Sequence, residues 1–331
     1  MSRHSAIRAI ALATLSILCA TAAQAQTAMK ISISIAQNSH QGAAIDAFAK
    51  SVEQRTGGRY KIQTFYSGAL GAERESVEAT QLGTQELTFT STGPVPNFVP
   101  EVKILDVPFL FRDYAHARGT LDGPIGQEML AKFEAKGLKA LAWGENGFRH
   151  MTNSKRPIQT PADVKGLKIR VPPEVQLEAA MEAAGANATK IAFPELYMAL
   201  SQGVVDGEEN PIAVITHNKF YEVQKHLALT RHAYNSMVHV ISAKTWARLT
   251  PEQQTIIREE SKAAGAMMRK TIAAEEDAQI TKLQSLGMQV TRPDPAAFRA
   301  VMGPAYQRIG TYAGEANVQK FMAMVDAERK K

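Results

Sequence analysis

Alternation between two hydrophobic periods restricts what this chain can fold into more than any other feature. Over 29–36, Ile31, Ile33 and Ile35 alternate with Ser32 and Ser34, the period of a half-buried strand. Ile45, Phe48, Ala49 and Val52 then recur at helical spacing until Gly57-Gly58 ends the helix. A strand over 60–66, a helix over about 72–82 and a strand over 86–91 follow. This β-α-β-α-β succession predicts an α/β fold with parallel strands and helices on both faces, because each crossover returns the chain in the same direction. A second succession begins after Gly166, with a strand over 167–171, a helix over 174–184, a short strand over 189–191 and a helix over 195–202. Two α/β units are the simplest account, and 45% apolar residues suffice for a core in each.

One segment is too long for either unit. Thr250-Pro251-Glu252-Gln253 combines a capping threonine, a proline at the first helical position and a glutamine that completes a capping box. No proline follows until past 286, and only Gly265 weakens the helix. An unbroken helix there is roughly 50 Å long and would lie across both units like a spine. The alternative is two helices broken near Gly265.

Residues 1–25 carry Arg3 and Arg8 without an acidic residue, then an apolar run over 7–20, then Ala23-Gln24-Ala25. These are the parts of a signal peptide, so export to the periplasm and cleavage near Ala25 are expected. The run is shorter than the roughly twenty apolar residues that span a bilayer, so no membrane insertion of the mature chain is expected. Cys19, the only cysteine, follows Leu18 rather than a small residue and leaves with the leader. The mature chain then has no disulfide, no thiolate zinc site and no cysteine nucleophile. The formal charge of +6 falls when Arg3 and Arg8 are removed, and the only basic cluster, Arg329-Lys330-Lys331, reads as a solvated tail. No nucleic-acid partner is expected.

Two arginines stand in short motifs about twenty residues apart: Gly147-Phe148-Arg149 and Leu167-Lys168-Ile169-Arg170-Val171-Pro172. A guanidinium is a rigid fork of donors that matches a carboxylate, so two of them on neighbouring extended segments can grip one organic acid. They can equally be surface residues. Ligands of open α/β sheets sit beyond the carboxyl ends of strands, where Arg170 and Ser91 fall.

With Phe65-Tyr66-Ser67-Gly68-Ala69-Leu70-Gly71, Asp106-Val107-Pro108-Phe109-Leu110-Phe111, Phe193-Pro194-Glu195-Leu196-Tyr197, Glu209-Asn210-Pro211 and Tyr221-Glu222-Val223-Gln224-Lys225, these motifs form an ordered set over the mature chain. The set resembles the solute-binding proteins of tripartite ATP-independent periplasmic (TRAP) transporters, of the DctP type. The resemblance implies a two-lobed periplasmic binding protein, type II-like, each lobe a sheet flanked by helices, with a long helix spanning both. It implies lobe 1 over 26–146 plus about 236–265, and lobe 2 over 147–235 plus about 266–331. It also implies a small organic acid as ligand and TRAP membrane permease subunits as partners; no cofactor is expected, and no residue is assigned to a metal. Arg170 matches the family's principal carboxylate ligand, Arg149 a second cationic contact, and Asn210 an amide at the same end. Phe193 matches an aromatic cover, or packs the core.

For the far end of the ligand, Glu73, Ser91 and His40 are candidates beside Thr92, Asn38 and Ser39, although capping and strand-end solvation explain them too. Hydroxyls and a carboxylate suit hydroxyl groups better than a second carboxylate, so a hydroxylated monocarboxylate such as a uronate or aldonate is expected. Two positions depart from the family pattern: Gly185-Ala186-Asn187-Ala188 lacks a proline often found there, and Glu208 replaces a common glutamine.

The other readings are a periplasmic enzyme acting on a small carboxylate and a subunit that presents its ligand to a sensor. Glu208 and Glu209 are adjacent on an extended segment, so they point to opposite sides and do not flank one substrate. His217, His226, His232 and His239 show no compact metal spacing, and neither a phosphate cradle nor a Gly-x-Ser-x-Gly elbow is present.

Overall fold

Both predicted series form, and they lie in one sheet. A computed structural model describes residues 26–328; the leader, its cleavage point, Cys19 and the basic tail lie outside the described residues. The first series supplies β1 (Thr27–Ser32), β2 (Tyr60–Phe65) and β3 (Leu87–Ser91), with β1 parallel to both others. The second supplies β5 (Lys168–Val171) and β6 (Asn187–Lys190) and runs on into β7 (Gly207–Pro211), a strand beyond the predicted series, with β5 parallel to both neighbours. Between them run two long strands, β4 (Leu138–Asn153) and β8 (His226–Ser242), antiparallel to each other. The described strands form a nine-stranded sheet in the order β2-β1-β3-β8-β4-β7-β5-β6, with β9 (Gln289–Thr291) added beside β8.

The sequence reading missed β4 and β8. Nearly every residue of both is buried, so neither shows the in-out alternation that marks a strand with one wet face. Their register also shifts at Ala140/Ala142, Glu145/Gly147 and Arg149/Met151. Each bulge inserts a residue and resets which side chains face which side.

The helix His40–Arg55 buries Ile45, Phe48 and Val52, and Ser39 caps it by accepting from the Gly42 amide at 3.1 Å. The helix Pro251–Ser285 is continuous, begins with the Thr250–Gln253 capping box, and packs on β4, on His40–Arg55 and on the helix Ile212–His217. It therefore touches both series. Gly265 does not break it. A Cβ at that position would lie 2.3 Å from the Trp143 carbonyl oxygen, so glycine is what lets the helix rest on β4. Gly265→Ala should cost about 1–3 kcal/mol of stability through overpacking, even though alanine is the better helix former. Urea unfolding measures this, and an unchanged or raised stability would contradict the close approach.

Apolar side chains of β1, β2 and β3 join those of His40–Arg55 and of Ile257, Ala264 and Met268 in one cluster. Another lies under Ile212–His217 and the far end of the long helix. No helix of the described residues is long and apolar enough to cross a membrane.

Candidate functional site

Arg170 stands near the carboxyl end of β5, with β6 on one side and β7 on the other. Its side chain is 1% exposed. Nε donates to the Ile191 carbonyl at 2.8 Å, which fixes the plane of the guanidinium, and the buried Nη1 has no hydrogen-bond partner. The group lies 5.8 Å from the centre of the Phe193 ring. Burial pushes its pKa down to about 10; Arg149 adds to that, and Glu209, Glu208 and Glu73 oppose it. A desolvated guanidinium with an unmet donor attracts an anion.

Arg149 differs. It sits on β4 between two register shifts, opposite Pro211 of β7 and diagonal to Glu209. Its Nε and Nη2 donate to the Glu209 carboxylate, Nη2–Oε1 being 2.8 Å, and His232 meets the same carboxylate at 3.0 Å. Burial opposes the arginine's charge, but Glu209 holds its pKa above the ordinary value. Burial would likewise raise Glu209, yet Arg149 and His232 keep it below the usual carboxylate range. Arg149 thus brings its own counter-ion, whereas the sequence reading took both arginines as free forks.

Asn210 bridges its neighbours: Oδ1 accepts from Arg149 Nη2 at 3.3 Å and Nδ2 donates to Glu208. Glu208 also accepts from Thr152 Oγ1 at 2.6 Å, and burial pushes its pKa up to about 7. As expected for adjacent residues of a strand, Glu208 and Glu209 serve different partners.

Arg149, Arg170, Asn210, Phe193, Glu73 and Ser91 all line one cleft of about 340 Å³. Phe193 lines the cleft and packs 6.1 Å from Phe220, ring centre to ring centre. Glu73, in the first turn of the helix Glu73–Leu82, accepts from the Ser91 amide at 2.9 Å and from Thr90 Oγ1 at 3.4 Å. His40 is not on the wall. It stands behind Asn146, meeting Oδ1 at 3.0 Å, and burial lowers its pKa to about 4, so it is neutral. A larger groove of about 1100 Å³ beside the helix Glu315–Glu328 lies apart from these residues.

Three amides on the wall escaped the sequence reading: Gln41, Asn146 and Asn235. Gln41 Nε2 donates to Asn146 Oδ1 at 2.8 Å, and Asn146 Nδ2 donates to Asn235 Oδ1 at 2.9 Å. Asn146 directly precedes Gly147-Phe148-Arg149 and could have been found from that motif. Asn235 had no local signal, since it is placed by pairing with Gly147 across two unpredicted strands. No cluster of His, Cys, Asp or Glu suited to a metal ion occurs among the described residues.

A cleft lined by a guanidinium without a salt-bridge partner, by amides and by a carboxylate, in an α/β fold, is the design of a solute-binding protein. The chain belongs to bacterial extracellular solute-binding protein family 7, whose family model matches residues 31–312. It is 54% identical over 304 residues to a solute-binding protein of Verminephrobacter eiseniae, covering 91% of this chain and 90% of that one. It is similar to the crystal structure of a TRAP periplasmic solute-binding protein from Polaromonas sp. JS666 bound to D-erythronate, with 46% identity and a TM-score of 0.87 over 90% of this chain and 99% of that one. The sugar acid-binding protein DctPAm of Advenella mimigardefordensis, solved with galactonate, is 31% identical with a TM-score of 0.88, covering 92% and 99%.

Proposed function

We propose that this chain captures a hydroxylated monocarboxylate, an aldonate or a uronate, in the periplasm and delivers it to the membrane permease of a TRAP transporter. The observation that carries this reading is Arg170, a buried guanidinium that lines the cleft and whose Nη1 has no hydrogen-bond partner. The ligand carboxylate binds there, with Asn210 and the outer edge of Arg149 beside it and Phe193 as cover. Glu73, Ser91 and the amides of Gln41, Asn146 and Asn235 meet the hydroxyls. The relatives bound to D-erythronate and galactonate make acyclic aldonates the first candidates. The lobes comprise 26–146 plus about 236–265 and 147–235 plus about 266–331, and they close by bending of β4, β8 and the long helix. The leader is removed near Ala25. The ligand is released unchanged, without catalysis.

A thermal-shift screen tests this reading. D-Erythronate, D-galactonate and D-glucuronate should raise the melting temperature, because a ligand bound only by the native state adds about 2.7 kcal/mol at a hundred times its Kd. Succinate should not, since the Glu73 carboxylate on the cleft wall repels a second ligand carboxylate. Equal stabilisation by succinate would refute the assignment of the far end, and no shift with any acid would refute the function.

A further inference from the structure

Beside the cleft lies a second pair of acidic groups that the binding reading does not use. Asp106 ends the turn of 3-10 helix Pro100–Asp106, and Glu174 is the residue before the helix Val175–Ala183, to which it gives no capping bond. They are 1% and 6% exposed. Thr92 joins them: its Oγ1 donates to Asp106 Oδ1 at 2.9 Å, while Glu174 Oε2 lies 2.6 Å from where a Cβ on the next residue, Gly93, would stand. Only glycine leaves room there for that carboxyl group.

Three oxygens of this pair, Asp106 Oδ2 and Glu174 Oε1 and Oε2, are buried without a hydrogen-bond partner. Ionised carboxylates are rarely left so. The charge around them is also unbalanced. Arg149 and Arg170 are the buried cations, and the buried carboxyl groups are Asp106, Glu174, Glu208 and Glu209, with Glu73 at the rim; Glu145, also buried, is matched by Arg118. Arg149 of β4 faces the pair, but Glu209 of β7 already neutralises it with His232 of β8 at its side, and Glu73 and Glu209 add repulsion. Asn235 of β8 also acts on Asp106, favouring its charged form. Burial, then the charge of Asp106, raises Glu174 well above the ordinary range, and burial raises Asp106 to about 7. Carboxyl groups that interact in this way titrate as a pair and hold protons to a higher pH than free acids.

An organic anion entering the cleft adds one more negative charge to this surplus. We infer that capture of the anion at Arg170 is accompanied by uptake of a proton at the Asp106–Glu174 pair. Glu208 is the other buried acid near the cleft that burial pushes upward, but its two oxygens accept hydrogen bonds from Thr152 and Asn210, which serve its charged form. The pair offers oxygens that a proton would satisfy. This inference rests on the reading of the cleft as an organic-acid site. The ligand is not the proton acceptor, since a 2-hydroxy acid is ionised far below neutrality and Arg170 favours its charged form.

The sign follows from the raised values. Proton uptake makes binding tighter at lower pH, and affinity falls as pH rises through about 7 and above, by at most about tenfold per pH unit where a full proton is taken up. Titration calorimetry with D-erythronate at pH 7.5, in phosphate, HEPES and Tris, reads the proton directly: the observed enthalpy should depend on the buffer's ionisation enthalpy with a slope of a substantial fraction of one proton taken up per ligand. Glu174→Gln and Asp106→Asn should each bind D-erythronate with that slope near zero, while Glu208→Gln should keep it. A zero slope in the unaltered protein with binding intact overturns the inference and leaves the binding reading standing. A slope that survives in both pair variants, or disappears only in Glu208→Gln, also overturns it. Failure of D-erythronate, D-galactonate and D-glucuronate alike to bind overturns both readings.

Discussion

Arg170→Ala is expected to weaken sugar-acid binding by about 2–5 kcal/mol, the usual loss when one partner of a buried, hydrogen-bonded charge pair is removed. At about 1.4 kcal/mol per decade, a micromolar site becomes nearly millimolar or weaker. Arg170→Lys should fail almost as badly, because the Nε bond to the Ile191 carbonyl and the free Nη1 are served by one planar group that an ammonium cannot replace. Stability without ligand should move the other way. Removing a buried cation that has no counter-ion relieves a desolvation cost, so the alanine variant should unfold no earlier than the parent and lose only its ligand-induced shift. Near-native affinity of either variant by calorimetry would sink the assignment. A large fall in the ligand-free melting temperature would show instead that Arg170 is a structural residue.

The second large effect falls on Glu209, whose loss should destabilise the fold itself. Glu209→Gln leaves Arg149 buried without its carboxylate and His232 without its partner, at an expected cost of about 3–5 kcal/mol. Arg149→Met should cost a similar amount, and the double variant much less than the two losses together, because the pair shares one interaction. Denaturant unfolding of the three variants gives the coupling energy, and simple additivity would show that the residues act independently. Because the Glu209 pKa is lowered by folding, its contribution is complete above the ordinary carboxylate range and is lost as pH falls through the lowered value.

What was legible in the sequence was what local periodicity encodes. The two parallel series and the capped long helix fell where short-range pattern put them, within a few residues, and four residues picked from the two arginine motifs, Phe193 and Glu-Asn-Pro lie on the wall of one cleft. β4 and β8 did not, because strands buried on both faces and interrupted by bulges carry no alternation to read. Apart from Arg149, what those strands position was hidden as well. Asn235 reaches the cleft only through its register with Gly147, and the neutralisation of Arg149 by Glu209 depends on a diagonal across β4 and β7. His40 shows the converse error. A polar residue before a helix looked like a cleft contact, yet it is buried behind Asn146 as a neutral support for that amide. Gly265 looked like a weak point in the helix and is instead the place where helix and strand backbones meet.

The passage of β4 and β8 through the whole sheet bears on how such proteins can trade parts during evolution. Side chains along a strand alternate between faces, so losing or gaining a single residue in either ribbon would turn everything beyond it inside out. Hybrids between relatives must therefore splice both ribbons in matching phase, or else change ligand preference one residue at a time around the cleft.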